Sequence, residues 1–182
     1  AAICIKVRIV KDVCTISVDT SGEALHKRGF KEAVSKAPMR ENIAALLMRK
    51  CGYDGTEPLV DPMCGSGTFP IEAAEIATGL QAGRSRTFAF QQLVGFDDGA
   101  WQQLKKQGKN GAPAVRFYGF DRDAGAVRMS KANAERAALQ PLTEFSVQAD
   151  STLVAPAVPK GPMFINQPCG CGMCETKRLT NP

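Results

Sequence analysis

No stretch of the sequence approaches the run of ~20 apolar residues that a membrane span requires. The first residues also lack the basic-then-apolar layout of a signal peptide. A cytoplasmic protein with no membrane partner is therefore expected. Glycine and proline follow no period, and no segment repeats or falls into low complexity. Those absences exclude a collagen-like chain, a coiled coil and a chain disordered throughout. Histidine occurs once, as His26, so a histidine relay has no second imidazole. A disulfide framework is missing too: Cys4, Cys14, Cys51 and Cys64 are scattered in apolar contexts and the total of seven is odd, the pattern of reduced thiols. Cys169, Cys171 and Cys174 form C-x-C-x-x-C near the end. Zinc sites usually pair two C-x-x-C units, and one is present, so no metal is expected and the tail after Asn166 reads as disordered or altered sequence with incidental thiols.

What remains is a chain of 182 residues and ordinary composition, long enough to bury one core without staples. Its formal charge of +5 is uneven. The excess gathers at the N-terminal end, in Lys27, Arg28, Lys31, Lys36, Arg40, Arg49 and Lys50. A nucleic-acid partner would ask for such a footprint, and a solvated surface would also show it.

Ile3, Ile5, Val7 and Ile9, then Val13, Thr15, Ser17 and Asp19 across Lys11-Asp12, predict a β-hairpin. Ala37-Pro38 opens a helix whose apolar face carries Ile43, Leu46 and Leu47. Pro58 to Asp61 reads as a buried strand, Met63 to Thr68 as a glycine turn and Phe69 to Ala77 as a helix. Residues 79–114 read as an insertion with one short helix, anchored by Phe88, Phe90, Phe96 and Trp101. A second strand over Val115–Asp121, a helix over Ala124–Leu139, a third strand over Glu144–Val147 and a fourth over Pro162–Asn166 follow. Alternation of this kind implies an α/β fold, a Rossmann-like doubly wound and mostly parallel sheet.

The turn Asp61-Pro62-Met63-Cys64-Gly65-Ser66-Gly67-Thr68 joins a strand to a helix. Gly65 and Gly67 allow close backbone approach to a ligand, and Thr68 is suited to capping the helix. No Lys-Ser/Thr follows, which argues against a triphosphate, and Pro70 stands where a third glycine would grip a pyrophosphate. An acidic residue at such a turn suits a cationic nucleoside, and S-adenosylmethionine (SAM) meets that description. Asp121, ending the second strand, is placed to accept from ribose hydroxyls, and Asp150, after the third, to meet an adenine amino group. Either aspartate could equally be a helix N-cap. The distance from Gly67 to Asp121 exceeds the usual ~20 residues, so the ribose reading requires 79–114 to lie outside the sheet.

KAPMRENIAALL, PLVDPMCGSGTFPIEAAEIA, GRSRTFAFQQLVGFD with Trp101, and YGFDRDAGAVRMSKANAERA together closely resemble the family of large-subunit rRNA guanine-N2 methyltransferases. Its members are often labelled N6-adenine DNA methylases and usually carry an N-terminal THUMP domain, an RNA-binding unit. The resemblance runs from about Val13 to Asn166. It implies a class I SAM-dependent methyltransferase, with SAM as cofactor and 23S rRNA as partner; DNA, through adenine N6, is the alternative, and a non-catalytic SAM- or RNA-binding fragment another. It implies that residues 1–36 are a hairpin and basic linker left from the THUMP junction and that 37–182 are the SAM-binding domain. Residues Asp61 to Thr68 become the methionine loop, Pro38-Met39-Arg40 the segment over it, Asp121 the ribose ligand and Asp150 the adenine-side ligand. The family's Asn-Pro-Pro-Tyr motif falls on Asn166-Gln167-Pro168-Cys169, with Gln167 in place of a proline and Cys169 in place of the stacking ring. A complete sheet of this class has seven strands. The four read here imply a sheet incomplete at the C-terminal end, with an open edge beyond the fourth strand.

Overall fold

The computed structural model describes residues 3–32, 39–106, 111, 113–149, 160–166 and 175–178, the last four as backbone only. Chain order within these residues is β1 (Cys4–Val10), β2 (Val13–Asp19), α1 (Glu41–Lys50), β3 (Leu59–Asp61), α2 (Thr68–Thr78), α3 (Asp98–Lys106), β4 (Phe117–Asp121), α4 (Ala124–Arg136), β5 (Thr143–Val147), β6 (Pro162–Ile165) and β7 (Glu175–Arg178). No helix among them is long and apolar enough to cross a membrane.

Five strands form one sheet in the order β5-β4-β3-β6-β7. The pairs β3–β4, β4–β5 and β3–β6 are parallel. Because β3, β4 and β5 succeed one another in one direction and β6 returns to the far side of β3, the strand order reverses between β3 and β6. In open α/β sheets ligands occupy the crevice outside the carboxyl ends of strands at such a reversal. The fold therefore directs attention to the residues just after β3 and β6.

Alternation along the short buried strands sends side chains to two faces. Leu59, Phe117, Phe145 and Phe164 join Phe69, Ile71, Met48, Val127 and Leu139 in one core, whereas Val60, Tyr118 and Phe120 form a separate cluster on the opposite face. Helix α2 lies between the sheet and α1, buried along nearly its whole length, and Phe69 meets Phe164 at 5.4 Å between ring centroids. Pro70 sits in the first turn of α2, where its missing N–H would have had no intrahelical partner.

Several boundaries differ from the sequence reading. Helix α1 begins at Glu41 after Arg40 in extended conformation, later than Ala37-Pro38, and Pro38 lies outside the described residues. The described residues between α2 and β4 add no strand, and contain a 3-10 turn (Ala89–Gln92) as well as α3. Phe88, Phe90, Phe96 and Trp101 pack mainly on one another there. The expected open edge is covered: β7 pairs antiparallel with β6, from Pro162↔Arg178 to Ile165↔Glu175, so four residues of the tail read as disordered or altered sequence supply a strand.

The hairpin forms in the predicted place, with Ile5↔Val18, Val7↔Ile16 and Ile9↔Cys14 on one side of the ribbon. That side is open to solvent, Val7 and Ile9 being 60% and 71% exposed. The chain leaving the ribbon is clasped by Arg86, whose guanidinium donates to the carbonyls of Ser21, Glu23, Ala24 and Lys27. Phe90 N–H adds a bond to Thr20 O at 3.0 Å.

Candidate functional site

The turn after β3 is built from backbone bonds. Asp61 Oδ1 accepts from Met63 N–H at 3.1 Å, Cys64 N–H reaches across to Phe120 O at 2.8 Å, and Gly67 N–H closes onto Cys64 O at 2.8 Å. Gly65 and Gly67 both have positive φ, 53° and 78°, a region that disfavours side chains. Their surroundings differ. A Cβ on Gly67 would stand 3.0 Å from Ser130 Cβ and 3.1 Å from the Phe145 ring, whereas one on Gly65 would meet nothing within 4 Å. The turn thus rests against the body of the protein at Gly67 and faces open space at Gly65, a cradle that a close-fitting ligand can enter.

Asp121 joins the turn from β4. Its Oδ2 accepts from Gly65 N–H at 2.9 Å and its Oδ1 from Asp123 N–H at 2.9 Å. Each oxygen keeps a second lone pair for a ligand hydroxyl. The N-cap of α4 is Asp123, which accepts from Gly125 N–H at 2.7 Å, so Asp121 is free of that duty. Thr68 does not cap α2 either. The cap is Gly67 in left-handed conformation, and Thr68 Oγ1 instead accepts from Lys31 Nζ at 2.9 Å. Lys31 also donates to Met39 O at 2.9 Å, tying the segment before α1 to the turn. Burial lowers the Lys31 ammonium from its ordinary range.

Asp61 is 2% exposed. Burial pushes its carboxyl up to about 7, the nearby Asp121 charge pushes the same way, and the Met63 N–H pulls against both. Neither Asp61 nor Asp121 has an ion pair among the described residues. Two carboxylates meeting at an open turn without a cation fit a positively charged ligand carrying hydroxyls. Cys64 is buried behind the turn, and burial pushes its thiol up, so it stays protonated.

Pro62, Met63 and Ser66 complete the turn, and Asn166 follows β6 at half-buried exposure. Parallel pairing of β6 with β3 through Val60↔Met163 brings Asn166 to the same sheet edge as Asp61. Asp150, Gln167, Pro168 and Cys169, with Cys171 and Cys174, lie outside the described residues.

Sequence reasoning missed the supports. Ser130 Oγ lies 2.8 Å from Gly65 O, and Asn133 Nδ2 donates to Ser66 O at 3.0 Å. Both side chains are fully buried, and Arg136 donates to Asn133 Oδ1 and to Phe30 O. The available signal was their position: Ser130 and Asn133 are three apart on the helix stripe shared with Ala126, Val127 and Ala134, where apolar residues are expected. Also unforeseen is Glu72, 2% exposed on α2, which accepts from Arg28 Nε and a terminal nitrogen at 3.1 Å each. Burial pushes the Glu72 carboxyl up to about 7 against the pull of Arg28.

The family described as "RMKL-like, methyltransferase domain" matches residues 28–181. The chain belongs to this family. Among curated relatives, a ribosomal RNA large subunit methyltransferase K/L from Vibrio campbellii is 35% identical over 171 residues, covering 90% of this chain and 24% of its own length. Among solved structures, a predicted N6-adenine-specific DNA methylase from Listeria monocytogenes superposes with a TM-score of 0.81 at 32% identity, over 93% of this chain and 45% of that one. SMU.472, solved as a complex with SAH, superposes with a TM-score of 0.78 at 28% identity, over 95% and 46% of the two chains. The chain thus spans about a quarter of the curated relative, 24%, and about half of the solved structures, 45% and 46%. The match includes the β3 turn, β4, α4 and β6.

Proposed function

We propose that this chain binds SAM at the carboxyl ends of β3 and β4 and takes part in methyl transfer to an exocyclic amine of a base in large-subunit rRNA, guanine N2 being the atom methylated. The observation that carries the reading is the turn itself: open in front of Gly65 and bordered by two carboxylates without a cation. The bound sulfonium supplies an electrophilic methyl group. Asp61 fixes the turn through Met63 N–H and offers negative charge to the cationic methionine end. Asp121 accepts from the ribose hydroxyls through its remaining lone pairs, and Asp150 meets the adenine side. Pro38 and the residues Pro62 to Thr68 shape the methionine end.

An exocyclic amine is a weak nucleophile because its lone pair is delocalised into the ring. The Asn166 carboxamide oxygen and the Gln167 carbonyl accept its two hydrogens and aim the lone pair at the methyl group, and Pro168 keeps the second proline of the motif. Their contribution is positioning, and the base must leave its stack to reach them. Cys169 offers no ring to the base, so stacking worth ~1–3 kcal/mol is absent on this side.

Calorimetry with SAM tests the first half; no heat at millimolar ligand would refute it. Nucleoside mass spectrometry after incubation with labelled SAM and ribosomal RNA tests the second, with N2-methylguanosine expected. The name of the Listeria relative raises adenine-N6 methylation of DNA as the second reading. Label on adenine of DNA and none on RNA would establish it instead.

A further inference from the structure

Beside the turn, on the far side of Lys31, lies a cleft of about 580 Å³ whose lining includes His26, Lys27, Arg28, Lys31, Arg40 and Glu41. Four of these carry positive charge against one carboxylate. Their commitments separate wall from mouth. Arg28 is held by Glu72 in two bonds and Lys31 by Met39 O and Thr68 Oγ1, so both set the field of the cleft without being free to leave it. At the mouth, Arg40 is exposed and His26 half-buried, and neither has an ion pair or side-chain hydrogen bond among the described residues. Lys27 meets Glu23 in an exposed pair, an interaction cheap to exchange.

We infer that this cleft is a phosphodiester seat: Arg40, His26 and Lys27 grip the backbone of the RNA strand whose base is presented at the β3 turn. A guanidinium fork matches two phosphate oxygens, and a preformed cationic wall raises the local concentration of a polyanion. Lys31 bonds to Thr68 at one end of the turn and borders the cleft at its other side, so a strand seated there runs past the methyl-donor cradle. The inference rests on the proposed function for the meaning of that adjacency. RNA binding in the cleft stands or falls on its own measurement.

The test is fluorescence anisotropy of a short labelled single-stranded RNA with the 182-residue chain, without SAM, over a salt series. Arg40→Gln is the first variant. Its side chain makes no cap bond to α1, so the fold is unaffected, and a thermal melt checks this. His26→Ala with Lys27→Gln is the second. Lys106→Gln, exposed at the end of α3, is the control for charge alone. The expected result is a loss of about tenfold for Arg40→Gln, a salt slope shallower by about 0.7 for each phosphate contact removed, and little change for the control. Affinity for SAH, read by calorimetry on the His26→Ala and Lys27→Gln variant, whose residues lie outside the turn, stays the same. Unchanged RNA affinity in both variants would overturn the inference. So would a loss of SAH affinity with RNA binding intact, which would give the cleft to the cofactor's carboxylate. A chain that binds RNA through the cleft yet takes no SAM would refute the proposed function and leave the phosphate seat standing.

Discussion

Replacing Asp61 with asparagine should make the chain more stable at pH 8 while costing it the cationic ligand. Burial at 2% exposure raises this carboxyl from 3.8 to about 7. The sign follows from proton counting. Between about pH 4 and 7 the folded chain keeps a proton that the unfolded chain has released, so stability falls as pH rises through that window and levels off above 7. At pH 8 the ionised form therefore carries a penalty on the order of 4 kcal/mol. Asparagine removes the charge and its amide oxygen retains the bond from Met63 N–H. Its amide hydrogens need acceptors, and one left unmet costs about 1–3 kcal/mol. The net gain is about 1–3 kcal/mol at pH 8, at roughly 2–4 °C per kcal/mol for a chain of this length. Urea melts of both proteins at pH 4.5 and pH 8 read it directly. The variant should lead at pH 8 and lose that lead at pH 4.5, while its SAM affinity drops about tenfold or more with the loss of a charged partner. A difference that does not depend on pH, or a variant less stable at pH 8, would refute the reasoning.

Arg28→Met leaves Glu72 buried without its partner and should cost about 3–5 kcal/mol in urea unfolding, with much of that recovered by adding Glu72→Met. Gly67→Ala forces a Cβ against Ser130 and Phe145 at positive φ and should lower the melting temperature sharply. Gly65→Ala has room, so calorimetry should find SAM affinity falling further than stability. Asn166→Ala should retain SAM binding and lose labelled methyl transfer to rRNA by about a hundredfold, on the scale of a lost positioning group.

The strand–turn–helix at Leu59 to Thr78 was legible because three local signals agree there: a short apolar run, glycines between two elements, and a helix rich in alanine. Asp121 reaches Gly65 despite their long separation because β4 pairs directly with β3 and the described residues between them add no strand. Roles that depend on distant partners were not legible. Thr68 has the chemistry of a cap, but Lys31, thirty-seven positions earlier, takes its oxygen. Strand β7 has the polar sequence Glu-Thr-Lys-Arg with no apolar alternation to announce it. It is specified by the backbone groups of the β6 edge, which one chain pattern cannot reveal. Glu72 and Glu75 look like the solvent face of an amphipathic helix, and only Arg28 and Arg84 arriving from elsewhere explain why both are buried.

The Arg86 clasp has a mechanical consequence. One guanidinium holds four carbonyls of the segment between the β1–β2 ribbon and the domain, so the ribbon behaves as a handle fixed at its root rather than as cargo on a string. The orientation of its two exposed strands relative to α2 and the segment after it is therefore set by one side chain. Without the Arg86 guanidinium, the bond from Phe90 N–H to Thr20 O would remain as the tie between the ribbon's root and the segment after α2.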